Sequence, residues 1–510
     1  MVSQLYSMGL FGMDAFTVEV EADISSGLPS FEVVGLPDAA VKESRDRVRS
    51  AMKNCGFEFP LGRITVNLAP ADKRKEGPIY DLPLFIAVMK ASGQLRAELN
   101  DSVFIGELSL KGELRPVRGI LPMAITAKGA GFKRLFIPEA NASEGSVVNG
   151  ISVYPVKNVV QLLNHLGGDE EIEPVKPGSL AAAEDGPMPD FSEVRGQAEA
   201  KRALEIAAAG GHNVILIGSP GSGKSMLAKR LPSILPKMTF EETIETTKIH
   251  SIAGTLPPGV SLIQKRPFRA PHHTVSPAGL SGGGSIPRPG EISLAHNGVL
   301  FLDELPEFSR AAMEVLRQPI ENGTVSISRA GGTVSYPCSV MFVAAMNPCP
   351  CGYFGHPTHK CTCTPQAVSH YLARVSGPLL DRLDLHIEVP PVGFDELDSS
   401  EKTESSEVIR ERVNAARAIQ NERFEGTGIT CNARITPDKL HEFCGLDDSG
   451  RKLLKNAFEK MGLSARAYDR ILKVCRTIAD LCGSENIKTY HVAEAVQYRS
   501  LDRKYWLRGK

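Results

Sequence analysis

Apolar and polar positions alternate through Phe16-Thr-Val-Glu-Val-Glu21 and Ile64-Thr-Val-Asn-Leu68. That period of two marks strands with one buried face. Ala39 to Asn54 and Leu82 to Ser92 read as helices, and together these elements predict an N-terminal α+β domain over residues 1–166. Residues 167–189 are rich in Gly, Pro, Glu, Asp and Ala without apolar periodicity, so they read as a linker. From Asp190 the pattern changes. Asn213-Val-Ile-Leu-Ile-Gly218, Gly298-Val-Leu-Phe-Leu-Asp303 and Ser339-Val-Met-Phe-Val-Ala-Ala345 are short continuous apolar runs, as expected of strands buried on both faces. Helical segments separate them, which predicts a central α/β domain with a parallel sheet over residues 190–391. Beyond it the pattern is all-helical: Ser405 to Asn421, Pro437 to Phe443, Gly450 to Met461, Ala465 to Cys482 and Thr489 to Tyr498. Residues 392–510 are therefore expected to form an all-α lid.

Composition adds bounds. A chain of 510 residues predicts roughly three or four domains. With 42% apolar and 23% charged residues it has the makings of real cores. A net charge of −1 gives no bulk basic field, so any contact with nucleic acid must be local. Met1 to Gly12 lacks a basic stretch followed by an apolar one, and no apolar run approaches bilayer length. The expectation is a cytoplasmic protein with no membrane partner.

Gly218-Ser219-Pro220-Gly221-Ser222-Gly223-Lys224-Ser225 matches the phosphate-binding loop pattern G-x-x-x-x-G-K-[ST]. It follows a strand and precedes a helix expected over Met226 to Leu235. Backbone N–H groups of such a loop wrap phosphates, and the helix N-terminus adds a favourable dipole. Lys224 can reach the β- and γ-phosphates of ATP, and Ser225 can ligate Mg²⁺. Asp303-Glu304 ends an apolar strand. Asp303 is placed to hold the Mg²⁺ and Glu304 to activate water as general base. The bland alternative is a pair of acids capping a helix before Leu305. Asn347 follows the third strand, where an amide can orient the attacking water, although Asn-Pro is also a common turn.

Cys349, Cys351, Cys361 and Cys363 are spaced C-x-C-x₉-C-x-C. Four thiolates from one loop can close a tetrahedral Zn²⁺ site within 349–363. His356 and His359 compete as ligands, and four unliganded cysteines remain the alternative.

Several segments carry a resemblance. Asp190-Phe-Ser-Glu-Val-Arg-Gly-Gln197 looks like the opening box of AAA+ modules, and Gly377-Pro-Leu-Leu-Asp-Arg-Leu-Asp384 resembles the segment carrying the arginine finger in magnesium-chelatase-type and replicative-helicase-type members. That match implies Arg382 as a finger reaching a neighbour's site; the alternative is a surface arginine paired with Asp381 or Asp384. Leu463-Ser-Ala-Arg466 resembles sensor 2, which implies that Arg466 reaches the γ-phosphate. Thr324 to Tyr336 reads as a β-hairpin around a glycine turn, where this clade places its pre-sensor-1 hairpin. Arg266 to Pro289 resembles the helix-2 insert. End to end the chain resembles the ComM/YifB family of magnesium-chelatase-like AAA+ ATPases, on Arg266-Pro-Phe-Arg-Ala-Pro-His-His-Thr274, Asn347-Pro-Cys-Pro-Cys-Gly352, Ser464-Ala-Arg-Ala-Tyr-Asp-Arg470 and Gly106 to Gly119.

The resemblance implies an ATP hydrolase working as a homo-oligomer, a hexamer, that drives branch migration of DNA in recombination and natural transformation. Its DNA contacts would be backbone-directed, on branched or single-stranded DNA, through Arg266, Arg269, His272, His273, Arg288 and Arg329. The alternative is a chelatase-type motor subunit driving metal insertion through a protein partner. A third reading is a ring that switches partners without hydrolysis, against which Lys224, Asp303, Glu304 and Arg382 argue. Gly106 to Gly119 with Phe136-Ile-Pro-Glu-Ala140 also resembles the proteolytic domain of Lon, of ribosomal-protein-S5-like fold, and the C-terminal domain of RadA. Lon needs a Ser–Lys dyad. Its serine falls at Ile79 and its lysine at Leu121, with Lys111 and Lys128 nearby. A non-proteolytic domain is implied.

Overall fold

A computed structural model describes residues 2–176, 188–257, 259–284, 287–329, 332–398, 403–501 and 505–506. Part of the expected linker, 177–187, lies outside the described residues. The chain divides into two compact units.

The first unit is built on a seven-stranded mixed sheet, in the order Ser30–Val34, Arg63–Ala69, Asp14–Ser25, Ser3–Phe11, Ser102–Phe104, Arg134–Pro138, Ser152–Val156. The alternation seen in the sequence is the cause: Phe16, Val18, Val20 and Ala22 are buried, while the residues between them are not. Ile64, Val66 and Leu68 bury the matching face of the strand paired antiparallel to it. Helices Ala39–Asn54, Asp81–Ala91 and Ile120–Gly129 cover that face. The first begins where expected because Asp38 accepts from the Val41 N–H at 2.8 Å. Gly35 has a φ of +98°, and a Cβ there would lie 2.1 Å from the Leu68 carbonyl oxygen, so no other residue fits.

Two segments from the middle of the chain, Phe240–Gln264 and Ser328–Tyr336, belong to this first unit. The helix Phe240–Ala253 meets the N-terminus of Ile120–Gly129. Ser251 Oγ donates to Glu144, and Ser251 O accepts from Gly119 N at 3.3 Å. Glu144 is buried and also accepts from Leu121 N at 2.7 Å. Burial raises its carboxyl above the usual range, against those hydrogen bonds.

The second unit carries a five-stranded sheet in the order Phe268–Arg269, Val299–Leu302, Met341–Met346, Val214–Ile217, Leu385–Glu388. Every pairing is parallel, as the continuous apolar runs predict. The registers Ile217↔Met346, Ile217↔Glu388 and Leu302↔Ala344 bring the C-terminal ends of the strands to one edge. In open parallel sheets that edge is where ligands bind. The C-terminal helices Ser406–Arg423, Asp448–Met461, Ala465–Leu481 and Thr489–Gln497 form within a residue or two of expectation. They share one core with the sheet and with helix Ala198–Gly210. A buried carboxylate, Asp480, ties three of their elements together. It takes both Arg423 nitrogens at 2.5 and 2.9 Å and the Asn432 amide at 2.8 Å. A two-stranded hairpin joins Thr324–Arg329 to Gly332–Pro337, as its alternation predicts.

Candidate nucleotide site and cysteine centre

The nucleotide site grows from the turn between strand Val214–Ile217 and helix Lys224–Ile234. The turn closes so tightly that only glycine fits its first position: a Cβ on Gly218 would sit 2.3 Å from the Val389 carbonyl oxygen. Gly221 and Gly223 take φ of +75° and +87°, the left-handed region that favours glycine. Lys224 lies buried in the loop. Its Nζ donates to Gly218 O and Ser219 O, each at 2.8 Å, and to Asn347 Oδ1 at 3.2 Å. Burial lowers its pKa and Asp303 opposes the shift. Those carbonyl and amide partners stand in for the phosphate oxygens that an ammonium in this position would bind.

Asp303 and Glu304 follow strand Val299–Leu302, next to the strand that ends at Met346. Ser225 Oγ donates to Asp303 Oδ2 at 2.5 Å. A hydroxyl and a carboxylate oxygen in contact at a loop of this kind fit a Mg²⁺, whose hard oxygen ligands they supply. The capping alternative for the two acids does not describe them. Asp303 Oδ1 accepts from the Glu304 N–H at 2.9 Å. Glu304 sits at φ +53°, an uncommon conformation for a residue with a side chain, and makes no side-chain cap to the short Leu305–Glu307 turn. Gln197 seals the other side by donating to Ser222 O.

Sequence reasoning missed one partner. His273 Nδ1 lies 3.2 Å from Glu304 Oε2. A signal for it exists only in the pairing: Arg269 is opposite Leu300, and each residue in question lies four further on.

The cysteine loop leaves the sheet directly after Asn347. Cys349 Sγ is 3.4 Å from Cys351 Sγ and 3.7 Å from Cys361 Sγ, and Cys351 to Cys361 is 3.5 Å. All four sulfurs lie within 4.8 Å of one another. A tetrahedron of ~2.3 Å Zn–S bonds has edges of about 3.8 Å, so the set fits Zn²⁺ with little adjustment. His356 is not in the group; its Nδ1 accepts from the His359 N–H at 3.0 Å. The loop abuts the phosphate-binding turn. A Cβ on Gly352 would lie 2.4 Å from Pro220 Cδ.

The family model described as magnesium chelatase, subunit ChlI, matches residues 190–397, a second ChlI model matches 20–141, and the ChlI C-terminal model matches 403–499. Competence protein ComM of Haemophilus influenzae is 45% identical over 505 residues, covering 98% of this chain and 97% of that protein. YifB of Escherichia coli is 43% identical over 513 residues, with 98% of each covered. The chain belongs to the ComM/YifB family of magnesium-chelatase-like AAA+ proteins. It is also 25% identical to Lon protease of Mycolicibacterium smegmatis over 188 residues, 34% of this chain and 23% of that protein.

The residues implied by the family resemblance have these surroundings. Arg382 is buried and pairs with neither Asp381 nor Asp384. Its Nη1 donates to Pro378 O and its Nη2 meets Glu321 Oε1, both at 2.6 Å. Asp384 is taken elsewhere: Arg470 pairs with one oxygen, and Asn213 N donates to the other at 2.8 Å. Despite full burial, Arg470 and His212 hold its carboxyl well below the usual range. Asn213 opens the strand that ends at the phosphate loop, about 13 Å away over four residues. Helix Ala465–Leu481, bound through Arg470, is thus anchored at the opposite edge of the sheet from Gly218. Arg466 is exposed one turn before Arg470, and no described hydrogen bond joins it to the phosphate loop.

Among the residues implied as DNA contacts, two are committed to the fold. Arg266 donates to Pro236 O at 2.6 Å and Asn297 O at 2.7 Å, and Arg269 grips Glu291 through two 2.7 Å bonds. His272 and Arg288 are exposed. The Arg329 side chain lies outside the described residues. In the first unit, Ile79 and Leu121 are buried in the core while Lys111 and Lys128 are exposed. The two positions at which the resemblance would place a Ser–Lys dyad hold packed hydrocarbon. No helix among the described residues is long and apolar enough to cross a membrane.

Proposed function

We propose that this chain is an ATP hydrolase of the cytoplasm that works as a ring, a hexamer, and remodels DNA as a branch-migration helicase in recombination and natural transformation. The observation that carries the reading is full-length identity of 45% to a competence protein, in a chain whose Lys224, Ser225, Asp303 and Asn347 converge on one loop.

Lys224 and the loop N–H groups would bind the β- and γ-phosphates of ATP. Ser225 and Asp303 would hold Mg²⁺, which neutralises charge on the transferred phosphoryl group when bound. Glu304 takes the proton of the attacking water and Asn347 orients that water. Arg382 acts on the site of a neighbouring subunit, since in its own chain it lies in the segment before Leu385, away from Gly218. Arg466 would reach the γ-phosphate as a second arginine. Cys349, Cys351, Cys361 and Cys363 would hold a Zn²⁺, whose role with four thiolate ligands would be structural. Exposed His272 and Arg288 contact phosphates of branched or single-stranded DNA without reading sequence.

Branch-migration and ATPase assays on four-way, forked, single-stranded and linear DNA test this. ATP-dependent movement of a four-way junction supports the reading. No stimulation by any DNA, with stimulation by a metal-inserting protein partner, would replace it with the chelatase-type motor that the family models' names suggest.

A further inference from the structure

Arg382, Leu383 and Asp384 lie between helix Gly377–Leu380 and strand Leu385–Glu388, and each of them is held from outside the segment. Arg382 O accepts from Asn213 Nδ2 at 3.3 Å. Leu383 O accepts from Arg499 Nη1 at 2.5 Å. Asp384 pairs with Arg470 through one oxygen and takes Asn213 N on the other. Asn213 leads into the central strand of this arrangement. The two arginines come from the lid, on separate elements: Arg470 on helix Ala465–Leu481, Arg499 just after helix Thr489–Gln497.

These lid contacts are buried and reinforced. Arg499 is 2% exposed, and the same nitrogen meets His386 Nε2 at 3.1 Å. The residue before it, Tyr498, accepts from His386 N at 2.9 Å. Thr477 lies two turns beyond Arg470 on one face of its helix. Its Oγ is 2.8 Å from Nε2 of the buried His212, the neighbour of Asn213. Breaking a buried pair such as Arg470 with Asp384 strands a charge, so the segment does not slip from the lid at low cost. The Arg382 guanidinium is held differently. Its partners are Pro378 O, four residues earlier, and Glu321, whose side chain is 42% exposed. The base of the side chain is fixed by the lid, while its tip rests on an ion pair open to solvent.

That arrangement suits a group that must reach outward from a defined origin. We propose that Arg470 and Arg499 are positioning residues for Arg382, so that the lid of one subunit sets the finger that completes the neighbouring subunit's nucleotide site. A displaced lid then leaves its own phosphate loop competent and disables the site next door. This role rests on Arg382 acting across the subunit boundary.

ATP hydrolysis by full-length Arg470→Met and Arg499→Met, each alone and in rings mixed one to one with Lys224→Ala, tests it. A misplacement of about 1 Å costs about a hundredfold in rate, so each variant alone is expected to lose roughly tenfold or more in kcat. KM for ATP and nucleotide affinity stay at wild-type values, because the loop is untouched. Mixing restores turnover. About a quarter of the interfaces then join an intact loop to a finger held by an intact lid, so the mixture reaches up to about a quarter of the wild-type rate, well above the mean of its components. Arg470→Lys and Arg499→Lys keep the charge and retain more kcat, and they carry the same mixing test if the methionine variants do not assemble by mass. A mixture no faster than the mean of its components, in rings shown to contain both, places the defect in the variant's own site and overturns the proposal. Wild-type kcat in both methionine variants overturns it too. So does a loss confined to Arg470→Met, since Arg466 shares that helix and Arg499 does not. Arg382→Ala mixed with Lys224→Ala is the reference. If that mixture is dead, the finger reading fails; if it turns over while the lid variants are not rescued, only the positioning role fails.

Discussion

Two of the turns in which a glycine leads towards a helix have opposite contents. In the second unit, Gly218 to Ser225 encloses Lys224, Ser225, Asp303 and Asn347, whose polar atoms satisfy one another at 2.5–3.2 Å. In the first unit, Gly77-Pro78-Ile79 leads into helix Asp81–Ala91, and Ile79 and Leu121 are buried in that unit's core. Both turns are well packed. Only the turn at Gly218 to Ser225 gathers an ammonium, a hydroxyl, a carboxylate and an amide, the groups that suit phosphate and Mg²⁺. A glycine turn before a helix does not by itself make a site, and function has to be argued from the side chains present.

The comparison can be broken at several points. Lys224→Ala should reduce ATP hydrolysis to background; turnover near wild type in a malachite-green assay would remove the loop from the mechanism. If Arg382 is the proposed finger, Arg382→Ala should lower kcat by about a thousandfold or more, with ATP affinity retained in a nucleotide-binding assay. If affinity falls and kcat holds, Arg382 only supports Glu321 and Pro378. Arg470→Ala leaves the buried Asp384 without its cation and should cost about 3 kcal/mol by chemical denaturation. Because Asp384 is depressed in the folded state, its contribution is present above the usual carboxylate pKa and fades as pH falls through its folded value. Arg470→Ala should therefore narrow its stability gap to wild type only in strong acid.

The smaller effects sharpen the contrast. Purified protein should carry about one Zn²⁺ per chain by elemental analysis, the load of a closed four-thiolate site. Cys361→Ser should lose the metal and raise KM for ATP with kcat nearly kept, because Gly352 rests on Pro220. Placing a Ser–Lys pair with Ile79→Ser and Leu121→Lys should give no peptidase activity on casein. It should also lower the melting temperature, since Leu121 is fully buried. Peptide hydrolysis by that variant would show that the first unit retains a protease site in all but two side chains.

The parts of the site that were readable in the sequence are those fixed by local rules. A glycine loop between a buried strand and a helix, two acids after the next strand and an amide after the third meet because a parallel sheet brings its C-terminal strand ends to one edge. The four cysteines were readable because they share one loop. Partners distant in sequence were not readable. Arg266 and Arg269 looked like phosphate contacts because their charge was legible and Asn297 O and Glu291 were not. For Arg382 the alternative to a finger was a pair with Asp381 or Asp384, yet Asp384 is bound by Arg470 from the lid, 86 residues away. Nor does any local pattern reveal that Phe240–Gln264 belongs with the first unit, since Ser251 meets Glu144 only in three dimensions.

The most direct test of the account is complementation between two dead subunits. Lys224→Ala lacks a working loop but has an intact finger, and Arg382→Ala has the reverse. In head-to-tail rings mixed one to one, roughly a quarter of the interfaces join the intact loop of one to the intact finger of the other. The account predicts that each variant alone is inactive and that the mixture hydrolyses ATP at up to about that share of the wild-type rate. A mixture as inactive as its components, in rings shown by mass to contain both, would contradict a site shared between subunits.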